Sequence, residues 1–319
     1  MKLSTKSLPK FIRGAIDYEE KNGYLHFYRF TKDQIATVYS KTEFCGLRTE
    51  ETASLKFVCK TDATKFEVEY KFGFIGSKDS IDCFADGKLC QIVPVSTLAE
   101  QGKRGKVELT FPAGEKEVEI LFPSDATIML KSVSANGYIR KAKDKKTKIL
   151  WIGDSITHGY GSFRSGEVYV EVATRILNCD TVNQGIGGYV HDGDIITKIN
   201  GYTPDKIVVA YGTNHYQAEN FEVEVTKFYD RLTALYPTVP VVAITPLWRK
   251  ESEENLNKLK LAGEIIKKVT AKYPDIKVVN GFDLVPNLDE YFMDGLHPNA
   301  LGMRVYGEEL VRKFKAIKF

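Results

Sequence analysis

The feature that most constrains this chain is a change of hydrophobic period near residue 145. From about Tyr24 to Val133 apolar and polar residues alternate, as where Phe66, Val68, Tyr70 and Phe72 interleave with Lys65, Glu67, Glu69 and Lys71. Successive side chains of a strand point to opposite faces, so a period of two is the signature of half-buried strands. The pattern returns at Leu55/Phe57/Cys59, Val107/Leu109/Phe111 and Val118/Ile120/Phe122, with turn signals at Asp86-Gly87 and Ala113-Gly114. Many short strands and few helical stretches predict an all-β sandwich or jelly-roll domain over residues 1–140.

Arg140 to Lys148 is charged and poor in apolar residues, which reads as a solvated linker rather than a binding patch. Beyond it, short β-branched runs alternate with helical stretches. Candidate buried strands are Ile149 to Ile152, Thr181-Val182, Ile207 to Ala210, Val239 to Ile244 and Ile276 to Val279. Leu259, Ala262, Ile266, Val269 and Tyr273 recur at helical spacing, as do Met303, Tyr306, Leu310, Phe314 and Ile317. Right-handed crossovers between such units predict a three-layer α/β/α, flavodoxin-like domain with a five-stranded parallel sheet over residues 148–319. A length of 319 residues accommodates two domains of roughly 100–200 residues each.

Composition narrows the partners. Apolar residues at 43% and charged residues at 27% are ordinary globular proportions. With 45 basic against 42 acidic residues, a net charge of +3 makes no strong field for nucleic acid or anionic lipid. Neither is expected as a partner. Met1 to Lys10 contains no apolar stretch of the kind a secretory leader needs, and no run approaches transmembrane length. Cys45, Cys59, Cys83, Cys90 and Cys179 form no Cys-x-x-Cys pair, and their odd number suits thiols in a reducing compartment, so a cytoplasmic location is the expectation.

In a doubly wound sheet, ligands bind beyond the carboxyl ends of the strands. The loops there read Gly153-Asp154-Ser155-Ile156-Thr157-His158-Gly159, Asn183-Gln184-Gly185-Ile186-Gly187-Gly188, Tyr211-Gly212-Thr213-Asn214-His215 and Asp294-Gly295-Leu296-His297-Pro298. A serine hydroxyl attacks only if a base takes its proton, and the base needs a third group to fix its tautomer. Asp294, three residues before His297, can accept Nδ1–H while Nε2 faces Ser155. The amides of Ser155 and Gly188 and the side-chain NH2 of Asn214 can receive a developing oxyanion.

Read alone, each block has a plainer meaning: Ser155 as a helix N-cap, the glycines as a tight turn, Asp294 and His297 as a surface turn. As a nucleotide loop the glycine block fails, because Gly-x-Gly-x-x-Gly needs glycine where Val190 stands. His158, His191, His215 and His297 with Asp192 and Asp194 show no His-x-x-x-His or His-Glu-x-x-His spacing, so neither a metal nor an organic cofactor is expected. Tyr160, Tyr189, Tyr216 and Trp248 lie near the same loops, either as a sugar-stacking platform or as rim aromatics.

Taken together and in this order, Gly-Asp-Ser-x-Thr, Asn-x-Gly-x-Gly-Gly, Gly-Thr-Asn and Asp-x-x-His-Pro resemble the four blocks of the SGNH/GDSL hydrolases. The resemblance covers Lys148 to the C-terminus and implies a serine esterase. Ser155, Gly188, Asn214 and His297 take the four named positions, and Asp294 completes the triad. Pro246-Leu247-Trp248-Arg249 is similar to a branch that carries a β-sandwich ahead of the hydrolase domain, many members of which resemble carbohydrate esterases. The activity so implied is hydrolysis of a small acyl ester, foremost acetyl on a small-molecule or oligosaccharide substrate. Lysophospholipase or thioesterase chemistry is the enzymatic alternative, and a carbohydrate-binding protein with a degenerate hydrolase domain is the non-enzymatic one. Candidate substrate contacts are Asp154, Tyr189, His215, Trp248 and Arg249. One departure stands out: the family usually has aspartate where this chain has His215. The sandwich itself can bind sugar, wall the active site or mediate homodimerisation.

Overall fold

The computed structural model describes residues 1–77 and 79–319. Up to Lys141 the described residues form twelve strands: β1 (Lys2–Ser4), β2 (Ile12–Arg13), β3 (Asp17–Lys21), β4 (Tyr24–Tyr28), β5 (Lys56–Thr61), β6 (Lys65–Ile75), β7 (Ser80–Ala85), β8 (Lys88–Pro94), β9 (Arg104–Thr110), β10 (Lys116–Leu121), β11 (Ala126–Ala135) and β12 (Arg140–Lys141). They make two antiparallel sheets. One runs β3-β4-β11-β6-β9 with β1 added on β11, and the other β12-β5-β10-β7-β8 with β2 added on β5. The alternation seen in the sequence decides what lies between them. Phe66, Val68, Tyr70 and Phe72 of β6 turn inward to meet Phe57, Cys59, Ile81, Cys83, Val118 and Ile120 of the other sheet in one buried cluster. This is a sandwich, as the period of two required. The charged run after it is exposed, but Arg140 and Lys141 pair with β5 rather than standing as linker.

Two helices, α1 (Lys32–Lys41) and α2 (Glu43–Thr49), sit between β4 and β5, where the sequence pattern suggested strands. Thr31 starts α1 with a capping box: its hydroxyl accepts from the Gln34 amide at 3.2 Å and the Gln34 side chain accepts from the Thr31 amide at 2.9 Å. Neither helix fills the sandwich. Phe30, Val38 and Cys45 join Leu150, Val182, Ile186 and Ile195 in the core of the second half.

That half is built on β13 (Lys148–Gly153), β14 (Asp180–Gly185), β15 (Lys206–Ala210), β16 (Val241–Ile244) and β17 (Ile276–Val279), all parallel, in the order β14-β13-β15-β16-β17. Helices α3 (Ser155–His158), α4 (Tyr169–Leu177), α5 (Phe221–Leu235), α6 (Glu253–Thr270) and α7 (Ala300–Ala316) connect and cover the strands. Ile149 and Trp151 of β13 face the α4–α7 layer, while Leu150 and Ile152 face α5 and α6. Because β14 and β15 lie on opposite sides of β13, the loops leaving their carboxyl ends diverge and open a crevice there. Among the described residues no helix is long and apolar enough to cross a membrane.

Candidate active site

β13 ends at Gly153, and the chain turns at once into α3. The N-cap of α3 is Asp154, whose carboxylate accepts from the Ile156 amide at 3.0 Å. The capping role open to Ser155 in the sequence is therefore taken by its neighbour, which frees the Ser155 hydroxyl. That oxygen lies 2.9 Å from His297 Nε2. The ring's other nitrogen, Nδ1, donates to Asp294 Oδ2 at 2.7 Å. Asp294 Oδ1 also accepts from the backbone amides of Leu296 at 3.0 Å and His297 at 2.8 Å. Burial alone would raise the Asp294 carboxyl, but the bonds it accepts from His297 and Leu296 outweigh that and hold it below its ordinary range.

The loop bearing Asp294 and His297 is a closed turn. Phe292 and Pro298 form an antiparallel bridge across its neck, Met293 donates to His297 O at 2.8 Å, and Lys250 donates to Gly295 O at 2.7 Å. Asn299 then caps α7 through bonds from Leu301 and Gly302. The Tyr160 ring sits edge-on to His297 with centroids 4.7 Å apart. The imidazole is thus fixed through both its own ring and its backbone.

The second loop is tied to the first. Asn183 donates to Thr157 O at 2.7 Å and accepts from the Gly185 amide at 2.8 Å. A β-carbon on Gly185 would meet His158 N at 2.3 Å, so only glycine lets β14 end this close to α3. From the other side the fully buried Arg29 donates to the carbonyls of Asn183 and Gly185, the latter at 3.1 Å. Burial pulls the Arg29 guanidinium down to about 9, which still leaves it charged at neutral pH. Gly188 has φ 78°, the left-handed conformation that glycine takes without strain. In the third loop the Asn214 side chain donates to Tyr189 O at 2.8 Å, which orients the amide and spends one of its two N–H bonds.

The five candidate substrate contacts are placed unequally. Asp154 is buried, and desolvation pushes its carboxyl up to about 7. Tyr189 is buried with its hydroxyl on Asp192 Oδ2 at 2.5 Å. His215 is half-buried against Phe221, ring centroids 4.7 Å apart, and burial lowers its pKa to about 4. Trp248 leans on Phe292 at 5.2 Å. Arg249 donates to Thr213 O at 3.2 Å and pairs with Glu251 at 2.8 Å. Two residues that the sequence did not single out also reach these loops, both from α2. A side chain at Gly188 would meet the Phe44 ring at 3.2 Å, and one at Gly187 would meet Arg48 Cδ at 3.0 Å. The Arg48 guanidinium stacks 3.7 Å above the Phe44 ring. Their only sequence signal was the capping box that starts α1.

A cavity of about 490 Å³ lies elsewhere, lined by Lys56, Glu117, Glu119, Arg175 and Asp180 among others. It sits at the amino ends of β13 and β14, the wrong edge of the sheet for this architecture.

No curated protein sequence matches the chain. Among solved structures, the salicylyl-acyltransferase SsfX3 of a tetracycline biosynthetic pathway is similar over 100% of this chain and 97% of its own, at 18% identity and a TM-score of 0.79. A family two carbohydrate esterase from Cellvibrio japonicus matches over 99% and 97% at 15% identity and 0.68. An acetyl xylan esterase from the rumen bacterium Butyrivibrio proteoclasticus matches over 100% and 99% at 13% identity and 0.67. At such identities these likenesses concern the fold. The family model of the GDSL-like lipases/acylhydrolases matches residues 151–305, so the parallel-sheet half carries a GDSL-like lipase/acylhydrolase domain and the protein is a hydrolase acting on esters.

Proposed function

We propose that the chain is a serine esterase that removes small acyl groups, foremost acetyl from carbohydrates, through an acyl-serine intermediate. The observation that carries this reading is the unbroken relay from Ser155 Oγ to His297 Nε2 at 2.9 Å and from His297 Nδ1 to Asp294 at 2.7 Å. As the Ser155 oxygen bonds to the ester carbonyl carbon, its proton passes to Nε2, and Asp294 stabilises the imidazolium. The carbonyl oxygen becomes an oxyanion, received by the Ser155 and Gly188 amides and the uncommitted N–H of Asn214. Collapse breaks the bond to the alcohol, which leaves with the proton from Nε2. Water then repeats the sequence on the acyl-serine and releases the acid.

The Butyrivibrio structure, named an acetyl xylan esterase, favours an acetylated sugar as substrate, and the Cellvibrio structure, named a carbohydrate esterase, favours a carbohydrate ester. A second reading has its own support in SsfX3: an acyl-serine can also be passed to an alcohol other than water. Acetate release from p-nitrophenyl acetate and from acetylated oligosaccharides, by wild type and Ser155→Ala, tests the proposal. Wild type should turn over and carry a fluorophosphonate label on Ser155, whereas Ser155→Ala should do neither. Equal rates would refute it, and transfer of acetyl to added alcohols in preference to water would favour the acyltransferase reading.

A further inference from the structure

Three side chains outside the relay meet where the sandwich presses on α3. Glu51 follows α2, Asp125 precedes β11 and His158 ends α3, and they are 0%, 5% and 2% exposed. One ligand-capable atom from each lies within 4.8 Å of the others. Glu51 Oε2 approaches His158 Nε2 at 2.8 Å, but the N–H of that nitrogen is directed at Ser124 O, also 2.8 Å away. Neither oxygen of Glu51 accepts a hydrogen bond among the described residues.

The neighbouring arginines do not supply one. Arg29 spends its donors on the carbonyls of Arg48, Glu51, Asn183 and Gly185, and Arg48 donates to Phe44 O within its own helix. A fully buried carboxylate without donors is strongly disfavoured unless a proton or a cation neutralises it. Here a second buried carboxylate stands beside the first.

We propose that Glu51, Asp125 and His158 bind one divalent first-row metal ion of the zinc or manganese kind, with the Ser124 carbonyl as a further oxygen at the site. A +2 ion cancels the two carboxylates. Ligand atoms about 2.0–2.2 Å from an ion stand roughly 4 Å apart when they face each other across it, within the spread of this cluster. One imidazole nitrogen beside carboxylates suits zinc or manganese, whereas calcium and magnesium take oxygen ligands. To coordinate, the neutral His158 ring carries its single proton on Nδ1 instead of on Nε2, which turns the Nε2 lone pair to the ion in place of the N–H now directed at Ser124. The ion would pin residues 51 and 124–125 of the sandwich half to the helix that begins with Ser155. Its role is structural, since burial leaves no open ligand position for substrate.

The test uses the full chain, stripped with EDTA and then given Zn2+, Mn2+, Mg2+ or Ca2+. Zinc or manganese should bind at a single equivalent and raise Tm by about 5 °C at a hundredfold excess over Kd, with Mg2+ and Ca2+ far weaker. Glu51→Gln and Asp125→Asn should abolish the equivalent, while His297→Ala should keep it. Crystals of wild type grown with zinc should show an anomalous peak between Glu51 and His158, a readout independent of whether the variants fold. No bound equivalent in wild type, an anomalous peak only elsewhere, or unchanged binding by folded Glu51→Gln would overturn the proposal.

Discussion

Asn214 is the residue whose assigned task is most separable from folding, because its side chain is exposed and, among the described residues, holds one bond, to Tyr189 O. An oxyanion donor acts on the transition state and not on the bound ester. Asn214→Ala should therefore lower kcat by about 100-fold, roughly 3 kcal/mol, with KM nearly unchanged; a rise in KM at constant kcat would remove the donor role. Asp294→Asn asks a different question. The amide can offer an N–H to Nδ1 and so favour the wrong tautomer, which should lower kcat by about 10⁴-fold without unfolding the chain. His191 and His215 govern acid stability instead. Burial lowers the pKa of His191 well below its ordinary value of 6.5 and that of His215 to about 4. Both imidazoles stay neutral when folded, while the unfolded chain takes up protons as pH falls through 6.5. Stability is thus complete above about 6.5 and is lost toward pH 4, by up to about 1.4 kcal/mol per pH unit for each buried ring. His191 packs among Tyr211, Phe228 and Tyr229 with no hydrogen bond on either nitrogen among the described residues. His191→Phe should accordingly flatten the pH dependence of urea unfolding in this window, and an unchanged slope would count against the assignment.

Elements of the parallel half were legible because each carried its own signal: continuous β-branched runs for β13, β15 and β16, three–four spacing for α6 and α7, and a chemical block after each relevant strand. The carboxyl-edge rule then brought Ser155 and His297 together without any knowledge of distance. The helices α1 and α2 were not read, although Thr31 and Gln34 spelled out a capping box. Their stretch is short and mostly polar, and what makes it helical is a partner surface roughly 140 residues away, where Val38 and Cys45 find their core. Local period carries no trace of that. Nor does it show that Tyr189 turns its hydroxyl inward to Asp192, or that Phe44 and Arg48 overhang Gly187 and Gly188. The overhang makes α2 a wall of the crevice beside Gly187 and Gly188, where a large substrate can touch it. Phe44→Ala should spare p-nitrophenyl acetate but lower kcat/KM for acetylated oligosaccharides roughly fivefold, the worth of about 1 kcal/mol of aromatic contact. Equal losses on both substrates would mean that the ring supports Gly188 and not the substrate.

At the scale of the whole molecule, the sandwich and the parallel-sheet half are joined by charges taken out of water. Lys56 of β5 lies 2.7 Å from Glu171 of α4 and 3.4 Å from Glu119 of β10, with 6% and 1% of the Lys56 and Glu171 side chains exposed. Burial alone would lower the lysine pKa, but Glu171 and Glu119 outweigh it and raise it. Arg13 reaches Asp180 at 3.0 Å and Arg164 reaches Asp82 at 3.1 Å across the same seam. These contacts suit two halves that fold as one unit, because separation would expose Val182 and Ile186 where Phe30, Val38 and Cys45 now cover them, and would strand Glu171. Two measurements follow from that physical dependence. Residues 142–319 expressed alone should lack a cooperative thermal transition, since Arg29 is missing beneath the Asn183 and Gly185 carbonyls. In the full chain, Lys56→Met leaves Glu171 buried without its partner and should cost about 3–5 kcal/mol in urea unfolding, whereas Lys56→Met with Glu171→Leu should recover most of the loss, because an apolar pair of similar volume carries no desolvation penalty. If the double variant were as unstable as the single one, the seam would depend on shape rather than on charge; if the isolated half unfolded cooperatively at the temperature of the full chain, the sandwich would be an appendage and its helices would no longer be needed to hold the serine loop in place.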